Sequence, residues 1–117
     1  MRCMNTGGAL GPQLRRGVLQ YCVLALLTQR ERYGFELVRN LGEIDGLVTS
    51  EGTIYPLLSR LKKDGQVQTT WRESDEGPPR KYYAITANGE AGLDAFRAEW
   101  HRFRSGVDLL LNQGDQR

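Results

Sequence analysis

Toward the C-terminal end, Leu93, Phe96, Trp100, Phe103, Val107 and Leu110 are separated by steps of 3, 4, 3, 4 and 3 residues. Residues three and four apart are neighbours on a helix, so all six share one face of a single long helix, expected over residues 87–111. Alternating threes and fours make a heptad seam, which is narrower than the face a helix uses to cover its own domain. About two and a half heptads are too few to stand alone, so the seam needs a partner surface. That surface is either the rest of the chain or a second copy of the same helix. Phe and Trp on the seam favour the second copy, because a protein of 117 residues has little else with which to cover so much aromatic surface. Thr86 stands where a cap would, with Gly89 and Glu90 in the first turn.

The elements before it are short. Residues 1–12 hold Gly7, Gly8, Gly11 and Pro12 and read as a flexible tail. Residues 13–29 read as a first helix, with Leu14, Val18, Tyr21, Cys22 and Ala25 at spacings of three and four. Residues 33–41 read as a second, ended by a left-handed glycine at Gly42 or Gly46. Residues 50–64 read as a third, capped by Thr49 or Ser50, with the stripe Ile54, Leu57, Leu58 and Leu61 and a stop at Gly65. Pro56 restricts this helix to a start near Ser50, so that the proline falls within about its first turn. Residues 66–72 and 80–86 read as two β-strands joined by a long polar loop, residues 73–79. Trp71 on the first strand is expected to pack on the domain.

Three helices, a hairpin and a long helix make a mainly α protein with the winged helix-turn-helix layout. The expected division is a tail (1–12), a winged helix-turn-helix domain (13–86), a C-terminal dimerisation helix (87–111) and a second tail (112–117). In that layout the third helix enters the DNA major groove and the hairpin reaches the backbone or minor groove. With the Ile54 stripe inward, the outward face of the third helix holds Gly52, Tyr55, Pro56, Ser59, Lys62 and Lys63, with Thr53 and Arg60 at its margins. Such a face suits base edges and phosphates, and it equally suits plain solvent. On the hairpin, Arg72, Arg80 and Lys81 flank an acidic tip of Glu73, Asp75 and Glu76. That tip and a net charge of only +2 keep a second reading open, a winged-helix module that binds protein instead of DNA.

Other functions find no residues to carry them. Two separated cysteines and one histidine form neither a disulfide framework nor a zinc site, and no nucleophile–base pair or phosphate loop is present. No cofactor or metal is expected. The longest apolar run, Val23–Leu27, is far short of the ~20 residues of a membrane span, and no secretory leader is evident, so the chain is expected to be cytoplasmic.

Three segments, Tyr33–Leu37, Glu51–Gly65 and Glu76–Gly89, resemble the PadR family of bacterial transcriptional regulators. The resemblance extends over about residues 13–111, and the short length is similar to the compact subfamily that includes multidrug-responsive repressors. It implies a homodimeric repressor on a palindromic operator of double-stranded DNA. It implies DNA contacts from Thr53, Tyr55, Pro56, Ser59, Arg60 and Lys63 and from Arg80 and Lys81 of the hairpin. It also implies that the last helix pairs across the dimer, with Trp100 at the position where some relatives stack a small flat aromatic ligand. Phe96 and Phe103 flank Trp100 on the seam; aromatic residues at this spacing serve a core as readily as a ligand site.

Overall fold

The computed structural model describes residues 6–113. The order of elements is α1 (Thr6–Arg15), α2 (Leu19–Gln29), β1 (Arg32–Tyr33), α3 (Gly34–Gly42), α4 (Glu51–Lys63), β2 (Val67–Ser74), β3 (Gly77–Ile85) and α5 (Ala87–Asn112). The architecture is mainly helical, with a three-stranded antiparallel sheet in the order β1-β3-β2 and a long C-terminal helix.

Leucines from three helices make the core. Leu19, Val23, Leu24 and Leu27 of α2 meet Leu37 and Leu41 of α3 and the expected stripe Ile54, Leu57, Leu58 and Leu61 of α4. Val67, Tyr83 and Leu93 close it from β2, β3 and α5. Gly65, at φ +76°, ends α4 in the left-handed region, where an L side chain is strained. Thr86 caps α5 by accepting a hydrogen bond from the Gly89 amide at 3.1 Å.

Several expectations need correction. The helix foreseen over 13–29 is broken: α1 stops at Arg15, Gly17 turns the chain at φ +82°, and α2 starts at Leu19. The spacing of Leu14 and Val18 runs across this break, and Leu14 is exposed. Of the tail foreseen over 1–12, residues from Thr6 onward are helical, and the remainder lies outside the described residues. At the other end α5 runs to Asn112, one residue beyond the boundary drawn at 111, and 114–117 lie outside the described residues. Ser50 occupies the N-cap of α4 but makes no capping hydrogen bond with its side chain. Pro56 is the sixth helical residue, in the second turn; its missing N–H spares only a bond to the carbonyl of exposed Gly52, which water can serve.

The hairpin also differs. Instead of a seven-residue loop, the strands continue to Ser74 and Gly77, leaving Asp75-Glu76 as the turn. Arg72 pairs with Arg80 and Ser74 with Gly77, so Pro78 and Pro79 together oppose Glu73 in a bulge. A bulge is where a strand tolerates residues that lack an N–H for the ladder. The third strand, β1, is only Arg32 and Tyr33, paired with Tyr83 and Tyr82. Two residues carry no alternation, so periodicity gives no sign of it.

Only the beginning of α5 packs on this core; Gly89 and Leu93 are its buried residues. Its 26 residues span about 39 Å at 1.5 Å each. The molecule accordingly measures 59 × 31 × 21 Å, and its radius of gyration of 17.0 Å exceeds the roughly 13 Å of a compact chain of this length. No described helix is long and apolar enough to cross a membrane.

Leu58 is fully enclosed at the meeting of the three helices. Leu58→Ala is expected to lower unfolding stability by about 2–5 kcal/mol through lost burial and the cavity left behind, read as a lower urea midpoint at unchanged slope.

Candidate nucleic-acid interface

With its leucine stripe buried, α4 presents Gly52, Thr53, Pro56, Ser59, Arg60, Lys62 and Lys63 to solvent, and Tyr55 partly so. At about 100° per residue these side chains form a band with two margins. Gly52, Pro56, Ser59 and Lys63 run along its middle. Tyr55 lies at one margin, and Thr53 and Arg60 at the other.

The Tyr55 margin faces the hairpin. Tyr55 and Ser59 line an open cleft of ≈ 420 Å³ together with Arg80, Lys81, Trp71 and Tyr33. Four of the expected DNA-contacting residues thus come together here. Trp71 does not pack on the domain as expected: it shares a face of β2 with buried Val67, but four residues further along the strand it stands past the edge of the core, where that face borders this cleft, and it is 66% exposed. The Arg80 guanidinium sits over the Tyr33 ring, 4.5 Å from its centroid. That places the charge at the cleft wall while its donors stay available. Arg72 is used differently. It forms an ion pair with Glu31 and lies over Tyr82 at 4.8 Å, so the helical domain neutralises its charge.

Tyr55 is held by a close approach that spacing cannot reveal. A Cβ on Gly34 would fall 2.3 Å from Cε1 of Tyr55 and 2.8 Å from its hydroxyl oxygen, so the ring lies where any other side chain would stand. Burial, with a contribution from the Glu51 carboxylate, pushes the Tyr55 phenol up from its ordinary pKa, so it stays a neutral donor. Gly34 opens α3, whose start is fixed by Glu36. The Glu36 carboxylate accepts from the Tyr33 amide at 3.4 Å and forms an ion pair with Arg30. Burial raises the Glu36 pKa, but the hydrogen bond and charge of Arg30, the Tyr33 amide and the Arg32 charge together outweigh it, and the net shift is downward.

The Thr53 margin faces the other way. Thr53, Pro56 and Arg60 line a second cleft, ≈ 400 Å³, with Arg15, Arg16 and Gln20 of the α1–α2 junction. Lys63 lies between the margins and lines neither cleft. The expected contact residues are therefore divided between two clefts, one on each side of α4. Spacing in the sequence singles out none of Tyr33, Gly34, Arg15 and Arg16.

The α5 seam is a separate surface. Tyr21 stacks on Phe96 at 4.1 Å between centroids, and Phe96 is followed by Trp100 at 5.9 Å and Phe103 at 6.1 Å from Trp100. Leu93 is buried and Phe96 partly so. Outward along the helix the seam loses its cover. Trp100 and Val107 are each 38% exposed, Phe103 65% and Leu110 69%. Trp71 is no part of this stack. Cys22 is half-buried against the core, and burial pushes its thiol up, away from reactivity. Among the described residues no group of three or more His, Cys, Asp or Glu side chains could hold a metal ion.

Residues 23–95 match the transcriptional regulator PadR-like family. Among solved structures, the chain is similar to a PadR-like transcriptional regulator from Bacillus cereus, at 40% identity and a TM-score of 0.77, covering 85% of this chain and 96% of that one. It is also similar to a PadR family transcriptional regulator from Eggerthella lenta, at 35% identity and a TM-score of 0.79, covering 91% and 92%. An uncharacterised protein of Lysinibacillus sphaericus is 30% identical over 98 residues, 82% of this chain and 90% of that protein.

Gly34→Ala is expected to displace the Tyr55 ring and weaken DNA binding on the order of tenfold, the size of a single polar contact to DNA, with helix content unchanged.

Proposed function

The chain belongs to the PadR-like family of transcriptional regulators, DNA-binding proteins rather than enzymes, and we propose that it is a ligand-responsive repressor that binds a palindromic operator as a homodimer. The observation that carries the DNA contacts is the shared cleft. Tyr55 and Ser59 of α4 open onto the same space as Arg80 and Lys81 of the hairpin. One duplex can then meet α4 in its major groove while the hairpin cations meet the adjoining backbone. Thr53, Pro56, Arg60 and Lys63 complete the contact set from the rest of the exposed band. The acidic Asp75-Glu76 turn lies beyond Arg80, outside this cleft.

The exposed end of the seam supports the homodimer. Trp100, Phe103, Val107 and Leu110 form a heptad stripe that the other described elements leave exposed. A second α5 supplies the matching surface. Two-fold symmetry of the protein then asks for two-fold symmetry in the operator, with half-sites about one helical turn of DNA apart or a multiple of it. For ligand response the support is Trp100, which stands between Phe96 and Phe103 with its ring partly open and offers a stacking surface to a flat aromatic molecule.

Affinity for a selected genomic duplex is expected to fall steeply as salt rises from 50 to 200 mM, by roughly 10³-fold or more if six phosphates are neutralised. Tyr55→Ala is expected to remove specific retardation while the mass by light scattering stays that of the wild type. Normal binding by that variant would show that α4 is docked wrongly. For the ligand, tryptophan fluorescence is titrated with a planar cationic dye. Quenching that disappears in Trp100→Ala is the expected result, and an unchanged dye affinity would remove Trp100 from the role.

A further inference from the structure

Of the expected contact residues, only Thr53, Pro56 and Arg60 line the cleft on the far side of α4 from the hairpin. Its opposite wall is the α1–α2 junction, with Arg15 and Arg16. Three arginines thus border one opening. Among the described residues no carboxylate lines this cleft, and Arg15, Arg16 and Arg60 take part in no ion pair. Arg15 donates to the Gly46 carbonyl at 3.4 Å and Arg60 to the Gln20 side chain at 3.4 Å. A guanidinium has five donors, so each retains several for an anion. Gly17, in the left-handed region at φ +82°, makes the turn after Arg16 that brings α1 back beside α4.

We infer that this cleft is a second phosphate-binding site for duplex DNA, in which Arg15 and Arg16 of the α1–α2 junction, together with Arg60, hold the sugar–phosphate strand opposite the one met by the hairpin. The inference rests on the docking of α4 in the major groove and extends it. A helix in the major groove lies between two backbones about 12 Å apart. The middle of the α4 band would meet base edges. Its Tyr55 margin, with Arg80 and Lys81, would lie at one backbone, and its Thr53 margin at the other. Without Arg15 and Arg16 the second backbone would meet only Arg60. The junction arginines make the two sides comparable in charge. Contacts of this kind position a protein on DNA and carry no sequence information.

The test uses the full-length protein and two fluorescein-labelled duplexes, one recovered by genomic selection with the wild-type protein and one of unrelated sequence. Binding is measured by anisotropy across a salt series. In Arg15→Ala/Arg16→Ala both affinities are expected to fall by a similar factor, on the order of tenfold. The slope of log affinity against log salt is expected to become shallower by about two units, near 0.9 for each phosphate no longer neutralised. Arg15→Lys/Arg16→Lys should keep the slope, which separates a charge effect from a folding defect, and circular dichroism checks that the alanine variant retains its helices. Unchanged affinity and slope in the alanine variant would overturn the inference, as would a loss confined to the selected duplex. Failure of the wild-type protein to bind either duplex at low salt would instead overturn the DNA reading itself, and this site with it.

Discussion

The direction in which α5 leaves the core is set at one joint. The Thr86 hydroxyl donates to the Gly65 carbonyl at 2.6 Å, and the Thr86 amide donates to the Gln66 carbonyl at 3.0 Å. The Asn88 side chain reaches the Asp64 carbonyl at 3.3 Å. Gly89 then passes so near Gln66 that a Cβ would fall 2.2 Å from its carbonyl oxygen. The end of α4 and the start of α5 are thereby bolted together across the root of the hairpin. The lever is long. A rotation of about 10° at the joint would swing the far end of α5 by about 7 Å over a helix of about 39 Å. In a dimer built on α5, the distance between the two α4 helices inherits that angle, and with it the spacing of DNA half-sites.

A second chain of dependence runs from buried charge to the exposed cleft. Arg32, almost wholly buried, donates to the Leu26 carbonyl at 3.1 Å, to Asn40 at 2.7 Å and to Gln29 at 2.6 Å. Desolvation, with the nearby Arg30 charge, lowers its pKa, and the three acceptors compensate the buried guanidinium. This network ties the end of α2 to β1 and α3. Glu36 fixes the first turn of α3, Gly34 in that turn leaves room for Tyr55, and Tyr55 shapes the wall of the cleft. Polar groups far from the surface thus determine where one surface hydroxyl stands.

Periodic features are legible in the sequence, and single-residue geometry is not. The stripe from Ile54 to Leu61 and the seam from Leu93 to Leu110 repeat at helical spacing, so the faces of α4 and α5 follow from the order of residues alone. The break at Gly17 is hidden because Leu14 and Val18 continue the spacing across it. The apolarity of Trp71 and its shared face with Val67 both argue for the interior, yet that face runs past the edge of the core before it reaches Trp71. Neither β1 nor the contact of Gly34 with Tyr55 leaves a repeat to detect. The eight expected DNA-contacting residues read as one surface in the sequence, whereas the fold divides most of them between two clefts, because a helix lying between two flanking elements meets a different neighbour along each margin.

The proline pair in the hairpin has an effect beyond local geometry. β1 covers β3 only at Tyr82 and Tyr83, which leaves the stretch from Gly77 to Lys81 bare along that edge. An uncovered strand edge invites a strand from another molecule, a route to aggregation. Pro78 and Pro79 offer no N–H along that bare edge, and the Glu73 bulge distorts the strand beside them. Strand addition along this edge of β3 is hindered at the tip of the hairpin without any covering element. A protein that exposes an apolar helical seam can then associate through that seam while this edge of β3 resists a further strand, a protection that the outer edge of β2 lacks.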